Sequence, residues 1–513
     1  MPRSVQFYLP PELAHVDKVI HDEALRLSGL SSGHVVVRKK SLDARKKKRI
    51  SYLFQADVFA PEEPTEGVAG FRSNYVQNAP EVHIIGFGPA GMFAALQLIE
   101  DGFRPIVLER GKAVRERRRD LAEICRNQPV NPESNYCFGE GGAGTYSDGK
   151  LYTRSSKRGN VAKVLQAFIE HGAAPDIGFE AHPHIGTNKL PDIIGSIRRH
   201  IEACGGEVHF NTRLDGLEVE GGSIRALRLN GGTRVPVQRV LLCTGHSARD
   251  IFRMLHHSGI AIEAKPFALG VRIEHPQALI DRIQYHCDSR GPFLPPSSYS
   301  LVEQALGKGV FSFCMCPGGI IAPAATNGGE IVVNGWSPSK RNNPFANSGF
   351  VAAVDEEDFQ PFAKHGPLRA MEYQAFWEQK AFAVSDSLSA PAQRLEDFIQ
   401  GKNTAVLPDC SYLPGILSAN LQEVLPAAVS KSIRAALILI GKKMPSYRTN
   451  EAVLVGVESR TSSPVRIPRD KEQLQHPQLK NLYPCGEGAG YAGGIVSAAL
   501  DGIRAAQMAI LHS

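Results

Sequence analysis

The sequence predicts an α/β protein: a Rossmann-type dinucleotide-binding domain with an inserted mixed α+β domain and a small N-terminal α+β domain. Three observations lead there. A short buried-strand pattern, Val82–Ile85, runs into Gly86-Phe87-Gly88-Pro89-Ala90-Gly91, a helical pattern and a second strand, Pro105–Leu108, closed by Glu109. The same α/β texture returns at the end, where Asn481-Leu482-Tyr483 precedes a glycine cluster and a helix starting at Ile495. With 513 residues the chain also exceeds what one core usually supports.

Taken in order, residues 1–80 form the small domain. An apolar strand (Val5 to Leu9) is followed by a helix carrying Leu13, Val16, Val19, Ile20 and Leu27, then strands at Val35–Val37 and Ile50–Phe59. The Pro/Glu/Gly-rich stretch Pro61–Gly70 has linker composition. Residues 81–265 are the first part of the dinucleotide-binding domain, with helices at 161–171 and 190–203. A β-meander spans Glu207–Val240, turning at Gly221-Gly222 and Gly231-Gly232. Residues 266–454, rich in Pro and aromatic residues, read as the insert, a substrate domain. Residues 455–513 complete the first domain.

Composition is that of a globular chain, with 42% hydrophobic and 21% charged residues. The start lacks a secretory-signal pattern, and nothing approaches the run of about 18 apolar residues that a membrane span needs. Nine cysteines without a CxxC indicate reduced thiols, so the expected location is cytoplasmic, away from membranes, with no metal centre. The net charge of +6 is concentrated: residues 38–49 hold eight Lys/Arg and one acid, Asp43, which leaves the remainder near neutral.

The glycines carry the chemistry. A lone GxGxxG is a weak signal, but this one follows a strand, opens a helix, and has an acidic residue roughly 20 positions on. Without Cβ atoms, Gly86, Gly88 and Gly91 would let the backbone of Gly88-Pro89-Ala90 approach a pyrophosphate at a helix N-terminus. Glu109 would take the ribose hydroxyls, with Arg110 beside it. A second cluster, Phe138–Lys150, contains Gly142, Gly144 and Thr145, and its amides could face a phosphate or a flat ring. A third segment, Cys243-Thr244-Gly245-His246, ends a buried strand. A fourth, Tyr483–Ile495, includes Gly486, Glu487 and Gly494. Gly488–Gly493 also spells GxGxxG, yet no strand or ribose carboxylate follows it, so a second dinucleotide site is rejected.

Together these four segments resemble flavoproteins of the glutathione-reductase structural superfamily. The nearer resemblance is to the bacterial and plastid FAD-dependent dehydrogenases called NAD(FAD)-utilising dehydrogenases. It rests on Lys40–Lys47, Gly142–Lys150, Thr244–Asp250 and Cys314–Gly319, and spans nearly the whole chain. It implies a glutathione-reductase-like FAD-binding domain with tightly bound FAD, and an oxidoreductase (dehydrogenase or reductase) passing hydride through the flavin to or from a small-molecule substrate. NAD(P)H would be a transient reductant. By the same resemblance Gly86, Gly88, Ala90 and Gly91 take the pyrophosphate, Glu109 the ribose, and Thr244 and Gly245 the adenosine end. Glu487 meets the ribityl or phosphate oxygens, and the Gly494-Ile495-Val496 amides stabilise charge on the reduced flavin. Disulfide reductases of that superfamily carry a redox CxxC and a second nucleotide motif; this sequence has neither.

The candidates for chemistry beyond cofactor binding are Ser147, Asp148, His246, Cys314 and Cys316. Ser147 and Asp148 read equally well as turn residues before Gly149. His246 is well placed at a strand end, with packing an equal reading. For the Cys314-Met315-Cys316 pair, alternation in a strand is favoured over redox chemistry. His182 and His184 lack partner carboxylates at metal-ligand spacing. The basic segment 38–49 reads first as a solvated strand edge and second as a nucleic-acid dock, which would make the chain a flavin-dependent nucleic-acid-associated protein. Arg110–Arg119, with six basic residues, reads as the charged solvent face of a helix.

Overall fold

The computed structural model describes residues 1–511 except 46–48, 66, 127–128 and 154–155. The expected N-terminal strands and helix are present: β1 (Arg3–Leu9), α1 (Asp17–Ser28), β2 (His34–Asp43) and β3 (Ser51–Phe59). β3 lies between β1 and β2, antiparallel to both, and Phe7, Phe54, Ala24 and Val58 fill the space beneath α1. β2 is longer than its apolar centre because Arg38, Lys39 and Lys40 continue it. Two of these have partners: Arg38 meets Asp57 at 2.7 Å, and Lys40 reaches Glu180 at 3.3 Å. The Lys40 contact is continued by the backbone, since the Lys40 N–H donates to Phe179 O and the Ala181 N–H to Lys40 O. The small sheet is thereby tied to the segment that leads into His182 and His184.

The next elements are β4 (Glu81–Ile85), α2 (Pro89–Glu100), β5 (Arg104–Leu108), α3 (Val114–Cys125), α4 (Val161–Glu170), α5 (Leu190–Ala203) and β6 (Glu207–His209). β7 (Leu214–Glu220), β8 (Ser223–Leu229) and β9 (Thr233–Pro236) form the antiparallel meander, and β10 (Val240–Leu242) and α6 (Arg249–His257) follow. The meander thus begins at Leu214 rather than at Glu207. Glu207–His209 instead pairs in parallel with β5, because Arg104 bridges Glu81 and Glu207 across the strand ends.

A two-residue strand β11 (Glu263–Ala264) leads to β12 (Phe267–Pro276), α7 (Gln277–Tyr285), β13 (Val302–Ala305), β14 (Lys308–Cys316), β15 (Ile320–Pro323), β16 (Val333–Trp336) and β17 (Phe345–Val354). Then come α8 (Arg369–Phe382), β18 (Ala390–Arg394), α9 (Leu395–Gln400), β19 (Ile416–Ser418), α10 (Leu421–Val424), α11 (Ala427–Lys443) and β20 (Val453–Glu458). The chain closes with β21 (Val465–Arg466), β22 (Leu482–Pro484) and α12 (Ile495–Leu511). Seven strands of this middle region form one sheet in the order β13-β14-β17-β12-β20-β18-β19. β20 pairs with β12 and β18, so the expected boundary at residue 454 falls inside a strand, and the sheet runs on to Glu458. The alternation of Val453, Val455 and Val457 with other residues belongs to this sheet, not to the following α/β segment.

A five-stranded sheet in the order β22-β10-β4-β5-β6, parallel in every pairing, brings both ends of the chain together. Its central strands are mostly apolar and buried because α2, α5 and α12 pack on one face and the β7-β8-β9 meander with α6 on the other. α2 is buried from Ala90 to Ile99, an all-round apolar helix packed between the sheet and α12. The contact with α12 is close because Gly502 has no side chain; a Cβ there would meet the Ala90 carbonyl oxygen at 2.0 Å. No described helix is long and apolar enough to cross a membrane.

Candidate functional site

In a parallel sheet the carboxyl ends of neighbouring strands open onto one crevice. Here β4 ends at Gly86, β5 at Glu109, β10 at Cys243-Thr244-Gly245 and β22 at Cys485-Gly486-Glu487. A cavity of about 380 Å³ lies over these ends. It is lined by Gly86, Gly88, Pro89 and Ala90 from the first turn, Glu109 and Arg110 from the second strand, and Gly142, Gly144, Ser147 and Asp148 from the second glycine cluster. Thr244, Gly245 and His246 face it from the third segment, and Glu487, Gly494 and Ile495 from the fourth. The four segments picked out in the sequence, far apart along the chain, therefore share one wall-to-wall space.

The first turn divides its glycines by task. Gly86 adopts φ +98° and packs on β10, where a Cβ would sit 2.8 Å from Cys243 O. Gly91 lies inside α2, turned away from the cavity, and a Cβ there would meet Gly86 O at 2.0 Å. At Gly88 the nearest atom to such a Cβ is Gly142 Cα at 4.0 Å, so this position faces the cavity. Gly88 caps α2 without a side-chain cap, and Pro89 stands in the first helical turn, where its missing N–H costs nothing. The positive end of the helix is thus directed at the cavity.

Glu109 is buried, and its carboxylate accepts three backbone N–H groups: Phe87 at 2.8 Å, Gly111 at 2.9 Å and Gly139 at 2.9 Å. Arg110 pairs with Glu133 and Asp250, each at 3.0 Å, and covers the Phe138 ring.

Four expected cofactor residues do not reach the space. Thr145 is fully buried, its hydroxyl donating to Glu140 O at 2.8 Å, because the turn over Gly142–Gly144 rotates it inward. Gly91 serves helix packing, as above. Gly486 sits just behind the lining, its N–H donating to Asp501 at 2.7 Å, and Val496 points into the apolar core. Cys316 likewise lies behind Cys314, which does line the cavity.

Among the chemical candidates, Ser147 follows its turn reading: its hydroxyl donates to Gly144 O and accepts the Gly149 N–H. Asp148 is 1% exposed and pairs with Arg341 at 2.7 Å and Lys150 at 3.6 Å. Burial pushes its carboxyl up, but Lys150 and Arg341 outweigh this and hold it down to about 2, so it is ionised at neutral pH. His246 Nε2 lies 3.8 Å from Glu487, while its buried Nδ1 has no partner. Burial, then Arg460, Lys265 and Arg249, bring His246 down to about 4, keeping the ring neutral. Burial raises the Glu487 carboxyl against the opposing Gly494 N–H.

Several functional residues escaped the sequence reading. Lys150 lines the cavity beside Cys314, and Phe313 on β14, Asn334 on β16 and Arg460 just after β20 close it. Arg460 belongs to a buried cluster with Arg249, Glu330 and Glu378, all pairs lying at 2.8 or 2.9 Å. Arg117, expected on a solvent face, is fully buried. Its guanidinium donates to the carbonyls of Asn135, Tyr136, Gly139 and Glu140 and so fixes the second glycine loop. The available signal was its place on the stripe Val114-Arg117-Leu121-Ile124, the buried side of α3. No group of three or more metal-ligating side chains occurs among the described residues, His182 and His184 included.

Fold and site together define a mixed α/β protein with a crevice at the carboxyl ends of a parallel sheet, lined by all four glycine-bearing segments. Residues 266–461 match the family described as FAD-dependent protein, C-terminal domain-like, and residues 1–59 match a domain of unknown function. An uncharacterized protein of Clostridium beijerinckii is 38% identical over 503 residues, covering 94% of this chain and 93% of its own length. The chain belongs to the family of that protein, and it carries the C-terminal domain of FAD-dependent proteins. Among solved structures, the tetracycline destructase Tet(51) aligns at 11% identity over 84% of this chain and 83% of its own, with a TM-score of 0.31. An L-amino acid deaminase from Proteus vulgaris aligns at 12% identity over 87% and 96%, with a TM-score of 0.33. At such scores these likenesses carry no argument.

Proposed function

We propose that this protein is an FAD-dependent oxidoreductase acting on a small-molecule substrate, with a glutathione-reductase-like, Rossmann-type FAD site. The observation that carries the reading is the cavity, with the N-terminus of α2 at one wall, the N-terminus of α12 at another, and Glu109 at the end of β5. Hypothetical Cβ atoms at Gly245, Gly493 and Gly494 would meet nothing within 4 Å, so the backbone there leaves open space for a ligand. These residues fit FAD. The Gly88 and Ala90 N–H groups at the start of α2, with Pro89 between them, would take the pyrophosphate, Glu109 and Arg110 the adenosine ribose side, and Thr244-Gly245 the adenosine end. The backbone at Gly142, Gly144, Gly494 and Ile495 would meet the flavin side, near Glu487 and the neutral His246.

Bound FAD would supply two-electron transfer as hydride. The chain's own contribution is to bind and orient. Asp148, held ionised by Arg341 and Lys150, would fix the cationic side chains at the cavity wall rather than donate a proton. NAD(P)H, as the reductant, would bind only transiently, without a nucleotide-binding domain of its own.

The test is direct. Purified full-length protein should be yellow, or should take up FAD stoichiometrically when the cofactor is added. A folded, colourless protein that takes up no FAD overturns the reading.

A further inference from the structure

β14 should alternate, yet it does not. Its pairing with β17 slips between Phe313 and Cys316, and Cys314 adopts φ +44°, a conformation that a side chain other than glycine's rarely takes. The bulge turns Cys314 onto the cavity wall while Cys316 stays behind it, fully buried. The Cys316 thiol donates to Cys314 O at 3.3 Å. Two cations attend the pair. Lys150 Nζ is 4.0 Å from Cys314 Sγ, and the Arg272 guanidinium donates to Cys314 O at 2.6 Å and to Cys316 Sγ at 3.8 Å. Strand alternation, the favoured sequence reading of this pair, does not account for a bulge that presents one thiol to the cavity and backs it with the second.

We propose that Cys314 and Cys316 form a redox-active dithiol that exchanges one electron pair with the flavin, an inference that rests on the FAD reading above. Oxidation of the pair breaks both S–H bonds and forms one Sγ–Sγ bond, releasing two electrons and two protons. The electrons and one proton pass to oxidised flavin, and the second proton leaves to solvent through the cavity. The reverse reaction reopens the disulfide at the expense of reduced flavin. The surroundings favour a division of labour. The neighbouring Cys316 side chain lowers the Cys314 thiol, and Lys150 and Arg272 add to this against burial; the Cys314 side chain and burial raise Cys316. Cys314 is therefore the more acidic thiol of the pair and faces the cavity, and Cys316 resolves it.

Anaerobic reduction of the FAD-loaded, air-oxidised full-length protein with dithionite tests the proposal. Wild type should consume two electron pairs per flavin before bleaching is complete, whereas Cys314→Ser and Cys316→Ser should each consume one. In parallel, the peptide carrying both cysteines, alkylated after denaturation, should take up no label from oxidised wild type and two labels from reduced wild type. That second measurement needs no variant, so a misfolded serine mutant leaves the test intact. A yellow wild-type protein that consumes one electron pair and keeps both thiols free after oxidation overturns the dithiol while leaving the FAD reading standing. A protein that takes up no flavin removes both, and its colour tells the two failures apart.

Discussion

The Glu109 carboxylate accepts the Gly139 N–H at 2.9 Å, across thirty positions of sequence, and so pins the second glycine loop against the end of β5. With the Phe87 and Gly111 amides on the same carboxylate, Glu109 is a structural clasp between the first turn and that loop. Its proposed part in binding a ribose would be superimposed on this.

Substitution of Glu109 should therefore show in stability as well as in flavin content. Glu109→Ala leaves three amides without their acceptor in a buried place, and each costs about 1–3 kcal/mol when unpaired. A loss on the order of 3 kcal/mol is expected in urea unfolding of the FAD-free protein, together with weakened flavin retention. Unchanged unfolding of the apo variant would mean that the clasp does not contribute to the fold.

Gly88 and Gly91 should fail in opposite ways. At Gly88 a side chain would project into the cavity with its nearest neighbour, Gly142 Cα, 4.0 Å from the Cβ position. Gly88→Val should keep the circular dichroism and unfolding midpoint of wild type and lose the flavin. Gly91→Ala would place a Cβ 2.0 Å from the Gly86 carbonyl oxygen, with backbone on both sides unable to yield. It should lose about 3 kcal/mol or more of stability. A Gly88→Val protein with normal flavin content would contradict the cavity as the cofactor site.

What could be read in advance divides along physical lines. The turn Gly86–Gly91 and the β4-α2-β5 unit were legible because backbone approach imposes residue types at fixed spacing. The meeting of the first, third and fourth segments was legible for the same reason, since each ends a strand of one sheet; the second, Phe138–Lys150, follows α3 and is held in place by Glu109 and Arg117. Thr145 and Cys314 were not: whether a residue faces a cavity there depends on a turn over Gly142–Gly144 and on a bulge in β14, and neither leaves a spacing signal. Arg117 was missed because charge outweighed periodicity in the reading, although four backbone carbonyls satisfy that charge inside the protein. The insert boundary was misplaced because β20 pairs with β12, a strand nearly two hundred positions earlier, a relationship fixed by the sheet as a whole.

His275 gives the inserted sheet a measurable acid response. The ring is fully buried, its Nε2 lies 2.8 Å from Tyr447 O, and its Nδ1 has no partner. Burial brings it down to about 4, against the opposing contact to Tyr447 O. The unfolded chain takes up a proton near pH 6.5, whereas the folded chain resists until about pH 4. This contribution is therefore complete above about pH 6.5 and is lost as pH falls toward about 4. His275→Gln removes it. The stability advantage of wild type over the variant should shrink on acidification from about pH 7.5 to about pH 4.5, by on the order of 3 kcal/mol at most. A constant difference across that range would show that His275 does not titrate as its burial requires.

The basic segment 38–49 should prove to be a strand edge and not a nucleic-acid dock. Lys46, Lys47 and Lys48 lie outside the described residues, but the cations on either side are informative. Arg38 is paired with Asp57, Lys40 with Glu180, and Arg45 with Asp43, so each already has a carboxylate partner. A phosphate backbone would have to displace these pairs. No cluster of exposed aromatic side chains stands ready among the described residues of β2 to stack bases; Tyr52, on the neighbouring strand, is buried beneath Lys40. Replacing Lys46, Lys47, Lys48 and Arg49 with Gln should leave flavin content unchanged and shift stability by no more than tenths of a kcal/mol per residue. In a gel-shift titration against single-stranded RNA at two salt concentrations, wild type and variant should both bind weakly. A dock would behave otherwise, because each phosphate contact contributes close to one unit to the slope of log affinity against log salt. Tight wild-type binding, with a slope that falls by several units in the variant, would reverse this assignment and give the N-terminal sheet a partner of its own.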